Sequence, residues 1–524
     1  MTIPFPFRVA VLVAGVVAIV SGRCQAREAE PRPDQPSQVT VSPEMTRFTE
    51  PLRSDGTVDY LAAVNARHAA GVTPADNACV LLYEAMGPRP EGSRQPDAFF
   101  RLMGIEPLPD EGAYFQSLHA WATGKFPDGS VDFGTLDDTQ FEALSRPWTT
   151  DEFPLIAAWV EANEVPLRAV VAATERPRYY SPMVVPDGEP DASMFEVLLP
   201  GVQASRELSR ALAARAMRAL GSGREAEAWQ DLMAIHRLGR LVGQGPTLIE
   251  FLVGVAIESM AIKGELRLLA DTQPSADVLA AYREQLDRMP PRGSCAAKVD
   301  VSERAMHLDI VQRLADGRTT FAKLAELNDT DAGVGRLDDP AIRSLIDWNA
   351  VLVQANAWVD QLVAAGRLPD PGERRRALER HDEDIDAIAR AVRERRASLS
   401  PRLGGTVITQ TVSGEIASTM LPSANAYAGE NRAMMLMRGL DLALVLAAYR
   451  NDHGGYPESL EMLVPKWVAA VPVDLFTGEP LRYERTAEGY RAWSVGPDGK
   501  DDTGVDPPTD DLVVEVPAAA GAAR

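Results

Sequence analysis

At 524 residues the chain has room for roughly two to four domains, and with 45% hydrophobic and 24% charged residues it is globular rather than disordered. A net charge of −22 excludes the basic footprint that nucleic-acid backbones require, so no nucleic-acid partner is expected, whereas acidic loops suit divalent cations. The three cysteines, Cys24, Cys79 and Cys295, form no C-x-x-C pair, which excludes the usual zinc and thioredoxin-like patterns.

The first element is an apolar run, residues 9–20, that follows Arg8 and precedes the small residues Ser21, Gly22 and Ala26. This is the pattern of a signal peptide processed within 21–26, or of an N-terminal anchor over 3–22. Arg23 beside Cys24 argues against a lipidation box, whose preceding residue is normally small. Both readings predict export, with the chain in the periplasm or on the outer face of the inner membrane, and the anchor reading adds membrane association through the N-terminus. Residues 27–47, rich in Pro, Gln, Ser and charge, read as a linker.

From there the predicted fold class is mainly α: a multi-helix region over 48–402, divisible into two subdomains near 176–204, followed by a connector (403–424), a small α/β domain (425–517) and a tail (518–524). Helices are predicted over 59–70 and over 74–86, the second with Thr73 as cap and Pro74 in its first turn. Pro- and Gly-rich loops follow at 87–110 and 126–134, and another helix after Thr150-Asp151. Residues 205–220 and 224–241 flank Gly221-Ser222-Gly223 and carry apolar stripes at Leu208, Leu212, Met217, Leu220 and at Ala228, Leu232, Ile235, Leu238. They form a helical hairpin. Further helices are predicted at 247–270, 275–288, 301–315, 339–365 and 371–397, broken at 289–293 and 333–340. None of them is a spanning segment, since the longest apolar run, 248–262, contains Glu250 and Glu258. Cys79 and Cys295 either bridge the first helical region to the middle one or remain two buried thiols.

The start of the 247–270 helix, Gly245-Pro246-Thr247-Leu248-Ile249-Glu250-Phe251-Leu252-Val253, resembles the prepilin cleavage and methylation signature. That signature sits at the N-terminus of pilins, not in the interior of a chain. Thr247 as a cap, Glu250 three residues on, and Leu248, Phe251, Leu252 and Val255 as core positions explain the same letters as a buried helix start.

Enzyme motifs are missing: there is no Gly-x-Ser-x-Gly elbow, His-Glu-x-x-His, phosphate-cradling loop or dinucleotide fingerprint. His68, His119, His236, His307, His381 and His453 are scattered and read as surface or core side chains, and the acidic run 381–386 as a solvated helix face. No catalytic or cofactor-binding residue is therefore assigned. A carboxylate pair brought together only in space is the route left for an enzyme.

The C-terminal stretch is the most informative. Apolar positions Met434, Met437, Leu440, Leu444, Ala447 and Ala448 mark a helix over 431–450, stopped by Gly454-Gly455. A short second helix follows Pro457, and a hairpin with one buried face turns around 486–489. A helix on such a small antiparallel sheet is a two-layer unit with its own core. The order Tyr449-x-x-Asp452-x-Gly454-x-Tyr456-Pro457, Pro472-Val473-Asp474-Leu475-Phe476, then Ser494-x-Gly496-x-Asp498-Gly499 resembles the globular head of the major pseudopilins of type II secretion, in the type IV pilin group. The resemblance implies a pseudopilin-like head and a calcium loop opening at Asp498 and closing at Asp511-Leu512. The candidate ligands are Asp498, Asp501, Asp502, Asp510 and Asp511, with Asp506 between them. Calcium wants about six to eight oxygens, which such a loop can supply, although Lys500 and Thr503 do not fit EF-hand spacing. The implied function is that of an exported cell-envelope protein with a structural or protein-interaction role linked to a secretion or surface apparatus. The alternative is an envelope hydrolase with a carboxylate-based site in the helical region.

Overall fold

The computed structural model describes residues 38–185, 193–197, 199, 201–327, 332–421, 425–487, 489–497, 499–502 and 512–516. The expected signal or anchor segment therefore lies outside the described residues. The chain is mainly helical, 62%, with a small three-stranded antiparallel sheet near the C-terminus. Among the described residues no helix is long and apolar enough to cross a membrane.

The first helices are α1 (Tyr60–Ala69), α2 (Ala78–Met86), α3 (Asp97–Met103), α4 (Leu118–Lys125), α5 (Phe133–Ser145), α6 (Pro154–Ala162) and α7 (Glu164–Ala173). The expected start of α2 at Pro74 is displaced by four residues, because Asn77 outcompetes Thr73 as its cap. The Asn77 Oδ1 accepts from Cys79 N at 3.1 Å and from Tyr180 N at 2.9 Å, which pins the helix start to a segment a hundred residues away.

The middle of the chain is α8 (Gly201–Gly221), α9 (Glu225–Val242), α10 (Leu248–Asp271) and α11 (Ala276–Asp287). The α8–α9 pair is the predicted hairpin, and its stripes Leu208, Leu212, Met217, Ala228, Leu232, Ile235 and Leu238 are buried. Helices α9 and α10 meet where Gly239 and Gly254 face one another. A Cβ on Gly239 would lie 2.8 Å from Gly254 O, so only a bare backbone allows this approach.

After α12 (Cys295–Lys298) comes a π-helical turn, Val299–Glu303, then α13 (Arg304–Ala315), α14 (Phe321–Leu327), α15 (Pro340–Arg343), α16 (Trp348–Gly366) and α17 (Pro371–Ala397). The expected single helix over 339–365 is two, because Asp347 starts α16 afresh by accepting from Ala350 N at 3.0 Å. The stretch expected as a connector carries a helix, α18 (Gly405–Met420), packed on α16 and α17 through Ile408, Val412 and Ile416. Cys79 and Cys295 are both free and buried, so the unbridged alternative holds.

The C-terminal unit is α19 (Asn425–His453) with strands β1 (Arg482–Arg485), β2 (Tyr490–Ser494) and β3 (Leu512–Val516), in the order β1-β2-β3. Register pairs Arg482 with Trp493 and Tyr490 with Val516. The inner face, Tyr490, Ala492, Ser494, Leu512, Val514 and Val516, is buried on α19. The Tyr-Pro corner is clipped to the sheet by Tyr483 Oη, which donates to Pro457 O at 2.8 Å, while Tyr456 and Tyr490 meet edge to face at 4.8 Å. Asp474, buried, joins the two motif loops: its Oδ1 accepts from Phe476 N at 2.8 Å and its Oδ2 from Val495 N at 2.9 Å. The opposite side of α19 packs on α10 and α11, so one apolar core runs from α2 through the α8–α11 helices to the sheet.

Candidate functional site

The prepilin-like stretch folds as the buried helix start that its polar residues predict. Every α-helix begins with backbone N–H groups that lack intrahelical partners. At α10 a capping box supplies them: Thr247 Oγ1 accepts from Glu250 N at 3.2 Å, and Glu250 Oε2 accepts from Thr247 N at 2.9 Å. Thr247 Oγ1 also donates to Glu250 at 2.8 Å, and a Cβ on Gly245 would collide with the Glu250 carboxyl group. From the far side, Glu303 of the π-turn accepts from Leu248 N at 2.9 Å, and the Lys298 ammonium donates to Gln244 O at 3.0 Å and Gly245 O at 2.5 Å.

These groups sit in apolar surroundings, which penalise their charged forms. Burial pushes the Glu250 carboxyl up to about 7 against the pull of its Thr247 bonds and of Lys298, and Glu303 is also raised by burial. Burial brings Lys298 down to about 8, with Glu250 opposing, and His68 down to about 4, helped by Lys298 and Arg67.

A second helix start lies beside the first. At α8, Glu91 Oε1 accepts from Gln203 N at 2.9 Å and from Ala204 N at 3.1 Å. Burial of that carboxylate pushes it up to about 7, with the two N–H groups opposing, although the residue as a whole lies on the surface. Between the two starts stand the buried side chains of Cys79, Tyr83 and Tyr179, all raised chiefly by desolvation, Cys79 to about 12. Both Glu91 and Glu250 add to the rise at Tyr83. Tyr83 is 1% exposed, and the Ser181 side chain, acting on its hydroxyl by hydrogen bonding, opposes the rise.

A third polar cluster closes the seam of α9, α10 and α19. His236 Nδ1 lies 3.2 Å from Glu265 Oε1, and its Nε2 lies 3.8 Å from Glu258 Oε2. Glu258 is matched by Arg240 Nε at 3.0 Å and Arg292 Nε at 3.0 Å. Asp441 of α19 interacts with His236 and Glu265, and desolvation of its carboxyl raises it to about 6 against the pull of Arg283, although the residue as a whole is exposed. Single-sequence reasoning named none of these carboxylates as a group, because their partners lie on different helices. The one available signal was the excess of Glu in an otherwise apolar α10.

The expected calcium ligands are only partly within the described residues: Asp498, Asp510 and Asp511 lie outside them. Asp501 turns its carboxylate to Arg482 Nη1 at 3.4 Å and to the indole N–H of Trp493 at 3.2 Å, and Asp502 is half-buried. Among the described residues no three His, Cys, Asp or Glu side chains are placed to hold a metal ion.

Comparison with protein-family models, with curated proteins and with solved structures finds no match to this chain.

Proposed function

We propose that the chain is an exported cell-envelope protein with a structural or protein-interaction role linked to a secretion or surface apparatus, and that its C-terminal α/β unit is a pseudopilin-like recognition end. The observation that carries this reading is the outer face of the sheet. With the inner face spent on α19, the outer face presents two rows across the strands, Arg482, Trp493 and Val513, then Glu484, Arg491 and Glu515. An aromatic residue at the centre of a charged rim is the composition of a protein-binding patch. The hydrolase alternative has less support, since Glu250 and Glu258 are each 1% exposed and committed to cap and guanidinium partners.

The test is recovery of secretion-apparatus components by the full chain and by Trp493→Asp, with circular dichroism to confirm that the variant folds. Recovery that the substitution abolishes supports the reading; equal recovery, or none, overturns it. Calcium belongs to the same reading through the acidic residues 498–511. Millimolar calcium then raises the thermal midpoint over chelator, because a ligand bound only by the native state stabilises it. An unchanged midpoint removes calcium from the proposal.

A further inference from the structure

Residues 462–473, between the Tyr-Pro corner and the sheet, form a loop that keeps most of its apolar side chains outside. Met462 is 50% exposed, Val464 37% and Val473 40%, and Pro465, Ala469 and Ala470 are exposed with them, while Trp467, Val468 and Val471 are half-buried. No other twelve-residue stretch among the described residues exposes three large apolar side chains. Leu463 alone turns fully into the core, so the loop is held there and again at Leu475 and Phe476, beyond its end.

The loop runs along one side of α19. Trp467 meets the Tyr449 ring at 6.0 Å, and toward the other end Arg438 Nη1 donates to Val473 O at 2.5 Å. At about 100° and 1.5 Å per helical residue, Arg438 and Tyr449 lie within about 20° of one another around α19 and roughly 16 Å apart along it. Lys466 is the single charged residue of the loop. Its ammonium lies 4.7 Å from the centre of the Trp467 ring and 3.1 Å from Asp452 Oδ2. In a chain of net charge −22 the loop has no carboxylate of its own; Glu461 and Asp474 stand just outside it, the second of them buried.

We propose that residues 462–473 are an interfacial loop that seats the C-terminal unit on a lipid bilayer, with Met462, Val464 and Val473 entering the acyl boundary and Lys466 and Trp467 at headgroup level. The size of the strip favours lipid over protein. Three large side chains and their small neighbours cover on the order of a few hundred Å², against roughly 800 Å² per partner in a stable protein interface. Reversible seating on a bilayer asks for less, since a few aliphatic side chains leaving water suffice. The charge pattern agrees: headgroup phosphates repel carboxylates, attract an ammonium and lie at the depth that an indole ring prefers. This contact does not depend on a secretion apparatus.

The test is a nitrobenzoxadiazole label at Met462→Cys in the full chain carrying Cys24→Ser, Cys79 and Cys295 being buried. Vesicles of phosphatidylethanolamine and phosphatidylglycerol shift its emission to the blue and raise it at least about twofold, and lipids spin-labelled high on the acyl chain quench it. The same label at Glu383→Cys, on the exposed side of α17, stays unchanged. Val464→Asp with Val473→Asp, two surface changes checked for folding by circular dichroism, raises the lipid concentration needed for the response at least about tenfold. A label at 462 that ignores vesicles, even when the N-terminus holds the chain to them, overturns the proposal. So does an equal response at 383, a response that the double substitution leaves intact, or a response to soluble envelope protein in place of lipid.

Discussion

Two helix starts in this molecule solve one problem in opposite ways. At α10 the carboxylate belongs to the helix itself, three residues past its Thr247 cap, and is sealed. At α8 it arrives from a loop 112 residues earlier and sits at the surface. Burial of the carboxylate pushes both groups to about 7, so their acidity does not distinguish them. What distinguishes them is where the cap comes from. One is supplied within the helix's own first turn, the other by a loop distant in sequence.

The largest test of this contrast is Glu250→Ala, which leaves the Thr247 N–H and hydroxyl without their shared acceptor inside the core. It is expected to cost about 3 kcal/mol, read as a drop in the urea midpoint. Next comes a pH effect with a definite sign. An acid whose pKa rises on folding holds its proton longer in the native state, so wild type loses stability as pH climbs from the ordinary glutamate range toward 7. Relative to Glu250→Gln the loss is about 2 kcal/mol between roughly pH 5 and 7, and a pH-independent difference between the two proteins refutes this account. Thr247→Ala, which removes only the cap hydroxyl, costs about 1 kcal/mol. Smallest is Glu91→Ala, expected to move global stability by about 0.5 kcal/mol or less while hydrogen exchange in residues 87–96 accelerates, since only a surface loop is released.

How much of this was legible in the sequence follows the same division. Thr247 and Glu250 are three residues apart, so the α10 start could be read directly, and so could α17 from Asp370-Pro371 and the α8–α9 turn from Gly221-Ser222-Gly223. The helix-on-sheet arrangement of the C-terminal unit was legible from its period-two strands and the Gly454 stop. Long-range competition was not. Asn77 won over Thr73 because Tyr180 is its partner, and α16 restarted at Asp347, whose backbone N–H is held by Thr409 Oγ1 at 3.0 Å. Helix α18 was hidden because its Gly, Thr and Ser content resembles a linker until Ile408, Val412 and Ile416 find a core. The Glu91 cap left no local trace, and the His236 seam left only the excess of Glu in an otherwise apolar α10.

Because α19 serves as floor to the sheet and as wall to α10 and α11, the molecule has a built-in load path. A pull applied at the strands enters α19 broadside and passes into α10 along their shared length, where side chains must slide past one another together rather than peel one by one. Such a shear joint yields late and all at once. The buried pair His236 and Glu258, with Asp441 at the exposed edge, lies along that shared length.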